Sequence, residues 1–185
     1  MFFFIEFLPI GFAVTVLVTN LNYLFQDIGY SPMAAASIFS IFGLAFTAGT
    51  CISPLSDRFG RERVFTIFAI LSFLCLPILF IVENTSSTWL LVVFSIICGV
   101  GLGSLMPVVG ASIVERFAGK SIGYIMGICS FGYGLGNAIS PWLAGFVHDN
   151  TGSYFIVLVI CMLVLILGIL FLWVAAPRKG KLILR

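Results

Sequence analysis

Apolar stretches about as long as a bilayer is thick alternate with short polar breaks along almost the whole chain. A hydrocarbon core of about 30 Å is crossed by about 20 helical residues rising 1.5 Å each. Runs of that order cover 2–24, 33–55, 64–82, 89–114, 122–147 and 154–176. The breaks between them read QDIGYSP, SDRFGRER, ENTSST, ERFAGKS and HDNTGS. The pattern predicts an all-α membrane protein: one bundle of six transmembrane helices over 1–176, then a basic tail over 177–185. The first run does not read as a signal peptide, because no basic residue precedes it and its apolar stretch is too long.

The charges sort by side. Arg58, Arg61 and Arg63 lie in the second break, Arg116 and Lys120 in the fourth, and Arg178, Lys179, Lys181 and Arg185 in the tail, which accounts for all 9 Lys and Arg. The other breaks carry Asp27, Glu83 and Asp149 instead. By the positive-inside rule both termini are expected in the cytoplasm, with the cell membrane as the expected location. Tyr30, Trp89 and Tyr154 then fall at the outer edge and Tyr124 and Trp173 at the inner one, as an aromatic belt requires. Composition changes the picture only by exclusion. With 61% hydrophobic and 9% charged residues, against about 25% charged in soluble domains, a water-soluble domain is ruled out. A net charge of +2 provides no surface for nucleic acid. Cys51, Cys75, Cys98, Cys129 and Cys161 all lie inside spans without CxxC or His pairing, and are expected to be small buried apolar residues. Asn84-Thr85-Ser86 spells a glycosylation site in a break too tight to serve as one.

A repeat is visible across the membrane. Ser53-Pro-Leu-Ser-Asp57-Arg-Phe-Gly60 and Gly145-Phe-Val-His-Asp149-Asn-Thr-Gly152 share small-x-x-x-Asp-x-x-Gly on opposite sides. The offset matches that between the first and fourth spans, so the bundle reads as two inverted three-helix repeats, an arrangement typical of secondary transporters. Asp57 can accept hydrogen bonds from the N–H groups that open the next helix, and Gly60 permits a turn that a Cβ would obstruct. Arg58, Arg61 and Arg63 can pair with Asp57, Glu62 or Glu115, forming a latch that holds in one conformation and breaks in another. A solvated turn that only marks topology is the plainer reading.

With these residues on the page, the sequence resembles the major facilitator superfamily. Ser53-Pro-Leu-Ser-Asp57-Arg58-Phe-Gly60-Arg61-Glu-Arg63 is similar to its cytoplasmic signature loop between the second and third helices of a half, although the family expects Gly at Ser53 and a basic residue at Glu62. Gly136-Asn-Ala-Ile-Ser140-Pro141-Trp-Leu-Ala-Gly145 resembles its fifth-helix Gly-Pro motif, with Ser140 in place of Gly. The resemblance covers nearly the whole chain but only one half of a twelve-span carrier. Gly99-Val-Gly101-Leu-Gly103 lacks the arginine expected in the fourth helix of an N-terminal half, which with the basic tail implies the C-terminal half. The stretch 123–154 is most similar to the branch of monocarboxylate transporters and oxalate/formate antiporters.

Polar residues inside spans mark candidate pathways, because a helix that faces lipid needs none. Ser130, Tyr133, Asn137 and Ser140 share one helical face, as do Thr15, Thr19 and Asn22 with Tyr23 adjacent. The candidate substrate pathway is therefore Thr15, Thr19, Asn22, Tyr23, Ser130, Tyr133 and Asn137, with hydrogen bonding that only holds helices together as the alternative. Asn20 lies on a different face from Asn22. The small and hydroxyl residues of the second span (Ser37, Ser40, Thr47) and of the fourth (Gly99, Gly103, Pro107, Gly110) read as packing surfaces. The third and sixth spans, almost free of polar residues, are expected at the periphery. Glu6 is expected to reach the interface; if buried, it is a candidate for proton coupling. His148 reads as a capping or solvated residue, or as a pH sensor.

No spacing supports catalysis, a metal or a cofactor, and the protein is not read as an enzyme. The branch places a cation in the helices corresponding to the second and fifth spans. Here those spans have no Lys, Arg or His, so a counter-charge must come from another chain, or the solute is not an anion. The expected function is alternating-access transport of a small solute, a small organic anion on the branch's precedent. The expected partners are the lipid bilayer and a second six-helix half, identical or separate. The competing reading is a non-transporting membrane scaffold, a receptor-like relative or a degenerate C-terminal fragment. A start almost at the first span fits a fragment, and the unbroken charge pattern fits a chain still held to its topology.

Overall fold

A computed structural model describes residues 2–82, 88–117, 119, 121–152 and 154–175. Glu83, the Asn84-Thr85-Ser86 triplet, Lys120 and the tail over 177–185 lie outside them. Six helices are long and apolar enough to cross a membrane. The helices of these spans are α1 (Phe2–Asp27), α2 (Pro32–Ile52), α3 (Arg61–Cys75, within a span that runs on to Ile81), α4 (Thr88–Arg116), α5 (Ile122–Thr151) and α6 (Phe155–Ala175). Ser31 caps α2 by accepting from the Ala34 N–H at 3.3 Å, with Pro32 at the first helical position. The third span is less uniform than its hydropathy implied. It starts at Arg61, closes at Cys75, and resumes as one turn, Ile78–Ile81, past Pro77. Conversely, α1 and α5 continue through Asp27 and Thr151, because polar residues can extend a helix beyond the apolar stretch.

The packing is reciprocal. α1 lies mainly against α5 and α2 mainly against α4, while α3 packs on α4, α6 packs on α1, and α3 touches α6. Exchanging each helix for the one three places along leaves this set unchanged, as two inverted three-helix units require. The two main interfaces are built alike. On α2–α4, a Cβ at Gly49 would strike the Val100 carbonyl and one at Gly103 the Phe46 carbonyl, while one at Gly99 would lie 2.7 Å from the Phe42 oxygen. On α1–α5, Gly136 abuts Leu8, Gly11 abuts Tyr133, and a Cβ at Gly132 would lie 2.7 Å from the Phe4 oxygen. Gly99-x-x-x-Gly103 and Gly132-x-x-x-Gly136 thus bring backbones into direct contact, where dispersion drives association that water-expulsion cannot supply in lipid. The described residues with positive φ are four glycines in repeat-related breaks, Gly29 with Gly119 and Gly60 with Gly152.

Several placements differ from the sequence expectation. α2 and α5, not only α3 and α6, are largely uncovered. Ser37, Ser40 and Thr47 of α2 are exposed rather than packed, each donating to a carbonyl four residues back at 2.9, 2.8 and 3.0 Å. Four cysteines are buried, but Cys51 is exposed. Tyr30 is buried beside Thr88, with the two oxygens 3.0 Å apart, so it joins two elements instead of the aromatic belt. Trp89, Tyr124 and Trp173 are exposed as a belt requires. The Trp173 indole N–H also donates to Thr66 Oγ1 at 2.9 Å, tying α6 to α3.

Candidate functional site

The break after α2 winds through a 3-10 turn, Ser53–Leu55, and one helical turn, Ser56–Phe59. Gly60 then reverses the chain at φ 91°, a conformation strained for any side chain. The turn delivers Arg61, only 13% exposed, between three elements. Its Nε donates to Glu115 Oε2 at 2.7 Å and its Nη2 to Glu115 Oε1 at 2.6 Å. Nη2 also lies 2.9 Å from Asp57 Oδ1. One guanidinium therefore ties the helical turn after α2, the start of α3 and the end of α4, in the bidentate geometry that only arginine offers. Of the three arginines expected to pair with neighbouring carboxylates, Arg61 pairs with Asp57 and Glu115, whereas Arg58 and Arg63 stand exposed. Asp57 does not cap α3, which opens at Gly60 without a side-chain cap. It is an acceptor for Arg61 one turn on.

The polar stripes of α1 and α5 meet over the seat made by Gly11. Thr15 Oγ1 donates to Asn137 Oδ1 at 2.6 Å. Asn137 also stands beside the Tyr133 phenol, and a Cβ on Gly11 would lie 3.0 Å from Asn137 Oδ1. This cluster is half-buried between the helices. The remaining members separate from it. Thr19, Tyr23 and Ser130 are exposed, and Thr19 Oγ1 donates to the Thr15 carbonyl at 2.7 Å. Ser140 is fully buried, while the buried Asn22 Oδ1 has no hydrogen-bond partner among the described residues. Asn20 lies towards α6, in a recess with Tyr154 and Leu158, as its angular offset from Asn22 implied. The sequence stripe is thus half fastening and half open surface.

Removing the fastening isolates its size. Thr15→Val is expected to lower stability by about 0.6 kcal/mol, the typical value of an interhelical hydrogen bond in membranes. Thermal unfolding of the purified chain in detergent checks this, and an unchanged midpoint would show that the Thr15–Asn137 bond holds nothing.

Glu6 does not reach the interface. Its side chain is fully buried near the start of α1, within electrostatic reach of Cys129 on α5. Sequence reasoning placed it by distance from the terminus, whereas α1 is covered from its first turns by Phe4 packing over Gly132. At the opposite end from Arg61, His148 of α5 meets Asp27 of α1.

The interlocked six-helix bundle defines a multi-pass integral membrane protein. The family model described as the Major Facilitator Superfamily matches residues 3–184, and the chain belongs to that family. It is 32% identical over 164 residues to Monocarboxylate transporter 12 of Rattus norvegicus, covering 83% of this chain and 32% of the relative. It is 27% identical over 143 residues to Multidrug resistance protein 3 of Bacillus subtilis, covering 77% and 27%. Cyanate transport protein CynX of Escherichia coli is 25% identical over 147 residues, covering 75% and 35%. The chain therefore spans between about a quarter and a third of the length of these relatives. The family and these names are those of transporters rather than enzymes.

Proposed function

We propose that this bundle is one half of an alternating-access carrier and moves a small solute between itself and a second six-helix half, either an identical chain or a separate one. The supporting observation is the asymmetry of its exterior. α3 and α6 expose large aliphatic side chains, among them Ile67, Ile70 and Leu74, and Leu163, Ile166 and Leu170. α2 and α5 expose Ser37, Ser40, Gly43 and Thr47, and Gly127, Ser130 and Gly134, interleaved with aromatics such as Phe131 and Trp142. The first face matches lipid tails. On the second, Gly43, Gly127 and Gly134 have nothing within 4 Å of an added Cβ, which leaves room for another helix to come as close as α2 comes to α4. Because the exposed hydroxyls of α2 bond to their own helix, close approach rather than polar desolvation is what drives the pairing.

In this reading Thr19, Tyr23 and Ser130 contact solute, and Thr15, Tyr133 and Asn137 set the α1–α5 spacing behind them. Asn22 faces the same region with an acceptor to spare. Asp57, Gly60 and Arg61 form the cytoplasmic gating loop, with Arg58 and Arg63 holding it at the inner surface of the cell membrane. Glu6 is the group placed to carry a coupling proton. Relatives named for monocarboxylate and for cyanate support a small anion as solute. An anion's counter-charge must then come from the second half, since 33–55 and 122–147 contain no Lys, Arg or His.

Uptake into liposomes tests the proposal, with the chain reconstituted alone and with a candidate partner half. Accumulation of labelled small carboxylates under a proton gradient is expected in at least one arrangement. Flat uptake in both would leave the competing reading, a membrane scaffold without transport.

A further inference from the structure

At the end of the bundle remote from Arg61, three helices converge on one ionisable ring. His148, the single histidine of the chain, lies in the last turn of α5, and its carbonyl accepts from the Gly152 N–H at 2.7 Å where the helix stops. Its Nε2 is 3.5 Å from Asp27 Oδ2, the last residue of α1. The imidazole stacks on Tyr154, just ahead of α6, with ring centroids 4.4 Å apart and planes 29° apart. A separation of 3.5 Å is the long limit of a hydrogen bond, so the attraction is mainly one of charge and requires the protonated ring.

The other titratable groups around this site are Tyr23 from α1 and Asp149 from α5 itself, each within electrostatic reach of Tyr154, as is Asp27. None of these side chains can carry a positive charge. A protonated imidazole therefore meets no repulsion from any of the three elements, and the carboxyl end of α5 adds its own partial negative charge.

We infer that His148, Asp27 and Tyr154 form a proton-operated clasp. With His148 protonated, the clasp ties the end of α1 to the end of α5 and to the start of α6. With His148 neutral, the ionic tie is released and only the ring stack remains. The sign follows from the charged form making the contact: the added stability is present while the ring carries its proton and lost when it does not, so it belongs to the more acidic side. The mirror-related end is held by Arg61, which keeps its charge throughout, so one end of the bundle is fixed and the other responds to pH. Thr19 and Tyr23 lie on the last turns of α1 before Asp27, and the clasp governs how firmly they are held. The inference stands on the geometry of this end alone and does not require the chain to transport.

A double-mutant cycle on the full chain in detergent tests it, with His148→Gln, Asp27→Asn and their combination, and helicity confirmed by circular dichroism. At about pH 5.5 each single change should lower the thermal midpoint by about 2 °C, and the double change no further; at about pH 8 all variants should melt with the wild type. Equal coupling at both pH values would mean a neutral hydrogen bond and overturn the clasp, as would no coupling at the lower pH. Should the variants fail to fold, the wild type still decides. Its one imidazole is readable by NMR, and its titration should move the Tyr154 ring signals in the same step. Imidazole titration that leaves Tyr154 unmoved would equally overturn it.

Discussion

Gly103→Ala should destabilise the bundle by about 1–3 kcal/mol, the range for overpacking a filled interior, and lower its thermal midpoint by about 2–4 °C per kcal/mol. The new methyl would meet the carbonyl of Phe46, which belongs to the α2 backbone and cannot rotate aside. Relief requires α2 and α4 to separate, and separation also loosens the contacts of Gly49 and Gly99 on the same interface. Gly134→Ala supplies the control. Nothing lies within 4 Å of a Cβ there, and alanine is the better helix former by up to about 1 kcal/mol, so the midpoint should hold or rise. Melting of the two variants in the same detergent separates buried from open glycine. A Gly103→Ala chain that melts with the wild type would mean that α2 and α4 are not in backbone contact.

Arg61→Gln should slow uptake by more than tenfold while costing at most about 1 kcal/mol of stability. The two effects part because Asp57 and Glu115 are 58% and 59% exposed, so once the guanidinium is gone both carboxylates rehydrate and no buried charge is stranded. What is lost is the joint between three helix ends. Arg61→Lys should be intermediate, since an ammonium cannot make the two parallel bonds to Glu115. Asp57→Asn should be milder, slowing uptake without impairing insertion, because the bidentate pair survives it. The measurement is initial uptake rate in liposomes against the amount of folded, inserted protein. Wild-type rates in Arg61→Gln would reduce the loop to a marker of topology.

Hydropathy alone revealed the six spans, because in a bilayer length and apolarity are the requirements a helix must meet. It did not say where the helices end, since Gln26 and Asp27 continue α1 as readily as any apolar residue and Pro77 breaks the third span without altering its hydrophobicity. The repeat was legible in the Asp-x-x-Gly breaks, where Gly60 and Gly152 both take positive φ, and Arg61 was legible through its neighbours in the signature loop. Partners were not. Nothing in the order of residues says that Thr15 meets Asn137 across 122 positions, or that Glu6 is covered while Ser37 is open. Such facts depend on which helix faces which, and that is decided by the fit of small residues to distant backbones. The sequence displays the glycines but not the surfaces they receive.

The exchange of partners between the repeats has a consequence for how the protein is made. After α1, three other helices are synthesised before α5, the helix it packs against most. Until then Gly11, Thr15 and the buried side of α1 have no native cover, and the nascent three-helix unit waits in the membrane as an unfinished half. Assembly therefore proceeds across the repeats: a chain stopped after α3 lacks the main partner of α1, and one stopped after α4 has joined α2 to α4 while α1 is still waiting. Premature stops should consequently feed membrane proteolysis rather than leave a smaller stable bundle, because α1 is covered only once both α5 and α6 have arrived.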